Sequence, residues 1–332
     1  MQEGIYALGD LEVERGGVIR NAQLTWQSHG TLNAARDNLI IYPCSYTATH
    51  ASRNWLIGPD GILDPEQYFI VIPDMFSNGL SSGAANTPDY PELVTLRDNV
   101  LAQMRLLREV FGTEQVAAVH GFSMGAMQAY HWAAMFPELV QRAIVVCGSA
   151  RTALHHKVFL SGLLRILEAA PGYQGCGQFS AAPQAVLKAF GHIYAGWGLS
   201  QDFYRTELFS SVLGVPDLET YLRTDWESSF AACEAANLYA QAMTWTHGDI
   251  SADPRYGSDL AALSAIRARV LLLPSATDLY FRVADNAAEL PHLQEGELRP
   301  IPSIWGHRAG SPAGLPAELP FVKSAVRDWL SR

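Results

Sequence analysis

Short uninterrupted apolar runs recur along the chain, and between several of them apolar residues return at every third or fourth position. The runs are Leu39-Ile40-Ile41-Tyr42-Pro43, Tyr68-Phe69-Ile70-Val71-Ile72-Pro73, Val116-Ala117-Ala118-Val119, Ala143-Ile144-Val145-Val146-Cys147 and Val270-Leu271-Leu272-Leu273-Pro274. A strand covered by helices on both faces has no polar side, so each run predicts a buried strand of a mostly parallel sheet. Across residues 93–111, Leu96, Val100, Met104, Leu107 and Phe111 share one face of a helix. Residues 321–330 predict a closing helix. Strands alternating with helices specify the α/β class, with helices on both faces of the sheet. Ahead of Ile40 the pattern defines no strand clearly.

The alternation breaks between about residues 150 and 255. Aromatic residues are dense there, from Phe159 through Trp197 and Trp226 to Trp245, and turns such as Ala170-Pro171-Gly172-Tyr173 separate helix-compatible stretches. The expected organisation is a first core part at 1–150, a helical insertion at 151–255 and a second core part at 256–332. The insertion is expected above the strand C-terminal ends, as a lid. Most of its aromatics are expected to form its own core.

The 332 residues, 48% apolar and 17% charged, suffice for one large domain with an insertion. A net charge of −10 argues against nucleic acid or an anionic membrane as partner. No apolar run approaches the roughly 18 residues of a membrane span, and no basic–apolar–small leader is evident. Cys44, Cys147, Cys176 and Cys233 form no C-x-x-C pair, so reduced thiols, a cytoplasmic location and no metal site are expected. Cys147 reads as a buried strand residue. No G-x-G-x-x-G follows an early strand and no G-x-x-x-x-G-K-S/T occurs, so no nucleotide cofactor is expected.

Chemistry enters at Gly121-Phe122-Ser123-Met124-Gly125, a G-x-S-x-G between the run ending at Val119 and the helix-compatible stretch from Gln128 to Phe136. Strand, tight turn and helix make this a nucleophile elbow, which presents the Ser123 hydroxyl at a helix N-terminus. A serine needs a base to take its proton and a third group to orient that base. In α/β-hydrolases these follow in the order Ser, acid, His. Asp278, in Ser275-Ala276-Thr277-Asp278, lies just past a predicted strand. His307, in Trp305-Gly306-His307-Arg308, lies in a glycine-bearing loop before the last helix. Asp285 is the nearest later acid, and His292 also has the right order but sits in an acidic, proline-bearing segment. For the oxyanion, one donor is expected from the Met124 backbone. The second is expected from the loop after the first run, with Cys44 preferred and Ser45 or Tyr46 next.

These residues resemble the homoserine O-acetyltransferase-like branch of the α/β-hydrolases. The resemblance runs from about residue 30 to the C-terminus and is weak in the insertion. It rests on Val94-Thr95-Leu96-Arg97-Asp98, Gln103, the elbow continued as Ala126-Met127-Gln128, and Trp132-Ala133-Ala134-Met135-Phe136-Pro137-Glu138. Leu56-Ile57-Gly58-Pro59-Asp60-Gly61, Leu63-Asp64 and Asn78-Gly79-Leu80-Ser81-Ser82 extend it. The resemblance implies an α/β-hydrolase fold, an acyl-enzyme on Ser123 and a homodimer formed through the insertion. It also marks departures: Arg308 stands where the transferases carry an Asp after the catalytic His, and Phe122 stands where they carry Gly. A cation there repels the ammonium of homoserine. The expectation is therefore a serine hydrolase of small, acetyl-type esters, with an acetyl-CoA-dependent O-acyltransferase as the alternative and a non-catalytic binding protein as a remote one. Ser45, Tyr46, Phe122 and Arg308 are the residues expected to meet substrate.

Overall fold

The computed structural model describes residues 1–332. Its main sheet has eight strands, β1 (Gln2–Glu12), β2 (Val18–His29), β3 (Leu39–Ile41), β4 (Phe69–Pro73), β5 (Ala118–Phe122), β6 (Arg142–Val146), β9 (Arg269–Leu273) and β10 (Gly296–Leu298). A two-stranded hairpin, β7 (Tyr173–Gly175) and β8 (Gln178–Phe179), stands apart from it. The order in the large sheet is β1-β2-β4-β3-β5-β6-β9-β10, with β2 antiparallel to both neighbours and every other pairing parallel. All five predicted runs fall on or within two residues of β3, β4, β5, β6 and β9.

The apolar runs are continuous because both sheet faces are covered. Leu39, Ile41, Val71, Val119, Val145, Val270 and Leu272 point into one core with α1 (Leu96–Val110) and α2 (Met124–Met135). Their alternates Ile40, Ile70, Ile72, Ala118, Ile144, Leu271 and Leu273 point into a second core against the C-terminal helix, Glu318–Ser331. α1 begins only at Leu96 because Thr95 and Asp98 close a capping box there, the Thr95 hydroxyl accepting from the Asp98 N–H at 3.2 Å and Asp98 accepting from the Thr95 N–H at 2.8 Å.

Two parts of the sheet escape the sequence reading. β1 and β2 form a long hairpin on the sheet edge, turning at Gly16 and Gly17, whose φ angles of +90° and +97° suit glycine. Register shifts between Ala7 and Gly9 and between Gly9 and Leu11 interrupt the inside–outside alternation that would have announced the strand. β10 has only three residues.

Between β6 and β9 the chain is mainly helical, with α3 (Leu154–Glu168), α4 (Gln184–Gly198) and α5 (Ala235–Thr246) as its longest members. Phe159, Leu187, Phe190, Phe230, Leu238 and Trp245 from this insertion share a third core with Tyr46, Met124, Met127, Tyr280 and Phe281. The latter five lie just past the C-terminal ends of β3, β5 and β9. No helix is long and apolar enough to cross a membrane.

Candidate active site

The chain turns at Ser123 with φ 58° and ψ −127°, a conformation that costs a non-glycine residue on the order of 1–3 kcal/mol. A Cβ on Gly121 would lie 2.0 Å from the Gly125 carbonyl oxygen, and one on Gly125 would lie 2.4 Å from the Pro43 oxygen. Both glycines are therefore steric necessities, and they bring α2, β5 and the loop after β3 into direct backbone contact. The first-turn N–H groups of α2, Met124 and Gly125, have no intrahelical acceptor.

Asp278 follows β9. Its Oδ1 accepts from the Tyr280 and Phe281 N–H groups at 2.8 and 3.2 Å, and its Oδ2 accepts from His307 Nδ1 at 2.7 Å. An ionised carboxylate only accepts, so this contact puts the imidazole proton on Nδ1 and leaves the Nε2 lone pair free. The Phe122 ring, one residue before Ser123, packs on His307 with centroids 4.6 Å apart. Tyr280 and Phe281 meet the same imidazole at 5.0 and 5.6 Å. Neither Ser123 Oγ nor His307 Nε2 makes an internal hydrogen bond. Catalytic hydrogen bonds are commonly loose before substrate arrives. Asp285 and His292 line a separate cleft with Arg151 and Lys157.

Two expected contacts need correction. The Cys44 N–H donates to the Pro73 carbonyl at 3.2 Å, continuing the sheet pairing beyond β3, so it is not free for an oxyanion. The N–H groups of Ser45 and Tyr46 have no internal acceptor. The Ser45 hydroxyl donates to the Phe122 carbonyl, and the Tyr46 hydroxyl donates to the Leu238 carbonyl at 3.0 Å, which ties the loop to both the elbow and α5. Arg308 also departs from expectation. Its guanidinium lies over the Trp305 ring, 5.2 Å from the centroid, and Trp305 packs on Phe203 rather than on the rings around His307.

The reason for Gln103 and Gln128 becomes visible here. Gln128 Nε2 donates to the Cys44 carbonyl at 2.9 Å, Gln103 Nε2 donates to Gln128 Oε1 at 2.6 Å, and Trp132 Nε1 donates to Gln103 Oε1 at 2.8 Å. This buried chain fixes the orientation of the peptide units after Cys44. The sequence marked these residues only as part of a motif.

Cys147, just past β6, brings its Sγ close to the Asp278 and His307 donor atoms, all within 4.8 Å of one another. The Asp278–His307 hydrogen bond already uses the facing atoms, and burial followed by the Asp278 charge pushes the thiol well above its usual range. The thiol therefore stays protonated, as a packing group.

Similarity to known proteins accords with this geometry. A family described as alpha/beta hydrolase fold matches residues 46–294. A probable esterase of Corynebacterium glutamicum is 37% identical, with 91% of this chain and 88% of that protein covered. An ethyl acetate hydrolase of Pseudomonas veronii is 35% identical over 90% of this chain and 87% of that protein. The crystal structure of an acetylester hydrolase from Corynebacterium glutamicum superposes with a TM-score of 0.94 at 34% identity, covering 100% of this chain and 96% of that one. More distantly, a homoserine O-acetyltransferase of Thermobifida fusca is 31% identical over 50% of this chain and 49% of that protein. The chain belongs to the α/β-hydrolases, on the branch that holds both small-ester esterases and homoserine O-acetyltransferases.

Proposed function

We propose that the protein hydrolyses small acetyl esters through an acyl-enzyme on Ser123, with His307 as base and Asp278 as its orienting acid. The observation that carries this reading is the 2.7 Å His307 Nδ1–Asp278 Oδ2 hydrogen bond beside a strained serine elbow. In the first step Ser123 Oγ attacks the acetyl carbon and its proton passes to His307 Nε2. The carbonyl oxygen becomes an oxyanion held by the Met124 N–H and by Ser45 or Tyr46 N–H. Collapse breaks the ester C–O bond, and Nε2 returns the proton to the departing alcohol. Water then attacks the acetyl carbon, giving its proton to Nε2, and acetate leaves as Ser123 recovers its hydrogen. Preorganised donors of this kind are worth about 3–4 kcal/mol each to the transition state.

A small acyl group is supported by enclosure: Ser123 is 3% exposed and His307 8%. The residue 151–255 insertion is the lid in this reading, since its rings share a core with Tyr46, Tyr280 and Phe281. The names of the esterase relatives support the substrate class. A homodimer through the insertion fits Leu154 and Val158 of α3, one turn apart and 83% and 66% exposed. The deciding assay incubates the enzyme with ethyl acetate and with acetyl-CoA, with and without L-homoserine. Acetate release that homoserine leaves unchanged is expected; saturable O-acetylhomoserine formation outpacing hydrolysis overturns the esterase reading.

A further inference from the structure

His156 is buried to 1% exposure near the start of α3, and both of its ring nitrogens lack a hydrogen-bond partner. Its ring meets Trp245 at 4.6 Å edge-on, stacks on Tyr280 at 5.2 Å and meets Phe281 edge-on at 5.0 Å. Tyr280 and Phe281 are the residues whose rings also touch His307, and Trp245 touches Tyr46 of the oxyanion loop at 5.6 Å. His156 thus shares its enclosing rings with the catalytic imidazole on one side and with the loop after β3 on the other. Burial, with the neighbouring His307 and His155, pushes its pKa down to about 3. At neutral pH it offers one N–H donor and one lone pair.

A buried polar group left unpaired is destabilising, and an imidazole with both nitrogens unpaired inside a wall of aromatic rings bears that penalty at each nitrogen. Phenylalanine would fill the same space without it. The imidazole is explained when a ligand brings the missing partner. The reacting ester oxygens are already served by the backbone donors and by His307, so the remaining polar atom lies farther along the substrate.

We propose that His156 is a specificity residue that hydrogen-bonds a hydroxyl on the alcohol portion of the bound ester, so that the preferred substrates are acetates of short hydroxylated alcohols. This deepens the esterase reading and rests on it. A site built to pair a substrate hydroxyl discriminates strongly against the analogue lacking it, because its own polar group is then stranded.

The test uses two esters of equal shape, 2-hydroxyethyl acetate and propyl acetate, and compares kcat/KM in the wild type, His156→Phe and His156→Gln. The wild type is expected to favour the hydroxylated ester by at least tenfold. His156→Phe should lose about 10- to 100-fold on that ester alone, and His156→Gln should recover part of the loss. A ratio near unity in the wild type, or a ratio unchanged in His156→Phe, overturns the proposal while leaving the esterase reading intact. Should neither variant fold, the wild-type ratio decides alone. Failure of the wild type to hydrolyse either ester overturns both readings.

Discussion

On the sheet side of the site, Gly121 and Gly125 face carbonyl oxygens at distances no Cβ tolerates, and Asp278 is gripped by two backbone N–H groups and one imidazole. On the insertion side, Phe159, Tyr194 and Trp245 meet Tyr280 through ring faces and edges at 5.0, 5.9 and 5.7 Å. The first region is held by hard backbone sterics and directional bonds, which few residue types satisfy. The second is held by non-directional packing, which many apolar residues satisfy. Chemistry is consequently written as a motif, whereas selectivity is written as shape.

The largest effects should confirm that division. Ser123→Ala or His307→Ala should lower kcat on a small acetate ester by about 10⁴- to 10⁶-fold, and Asp278→Asn by about 10⁴-fold, in steady-state assays. Full activity in both Asp278→Asn and Asp278→Ala would send the search for the acid elsewhere. Gly121→Ala should cost about 3 kcal/mol in urea unfolding, because its Cβ meets backbone that cannot yield. Phe159→Leu, across the site, should cost only about 1 kcal/mol, because neighbouring rings can adjust. Equal costs would erase the contrast between the two regions.

Acid should separate the regions less sharply. Burial pushes His120, on β5, down to about 3 and His131, on α2, down to about 4, while His156 of the insertion falls to about 3. Each is neutral in the fold and takes up a proton more readily when unfolded. Their contribution is complete above the unfolded value near pH 6.5 and is lost as pH falls toward 4 and 3. At pH 5, His120 alone should account for about 2 kcal/mol of lost stability. Urea midpoints of His120→Phe should therefore fall less steeply between pH 6.5 and 4.5 than those of the wild type; parallel curves would refute the burial argument. Smaller still, Gln128→Leu should lower kcat about tenfold with little change in KM, since it releases the Cys44 carbonyl and with it the loop after β3 that is proposed to supply an oxyanion donor.

The same division explains what the sequence disclosed. Five buried strands were legible because covering both faces of a sheet forces continuous apolar runs. The elbow, Asp278 and His307 were legible because position after a strand and order along the chain are linear properties. The β1–β2 hairpin was not, since its bulges break the alternation on which an edge strand depends. Cys44 was the wrong oxyanion donor because pairing with Pro73 continues one residue farther than the apolar run suggests. The resemblance puts Arg308 where the transferases carry a substrate-facing Asp, but one residue beyond His307 the side chain turns onto Trp305. His156 carries no signal in the sequence, and only the rings that α5 and the segment after β9 gather around it make it notable.

In the proposed reaction Ser123 is the residue that carries the acyl group. Intact-mass analysis after treatment with a serine-directed phosphonate tests it most directly. One adduct per chain, mapped to Ser123 and absent from Ser123→Ala, is the predicted result; an adduct on another residue, or one that survives in Ser123→Ala, would contradict it.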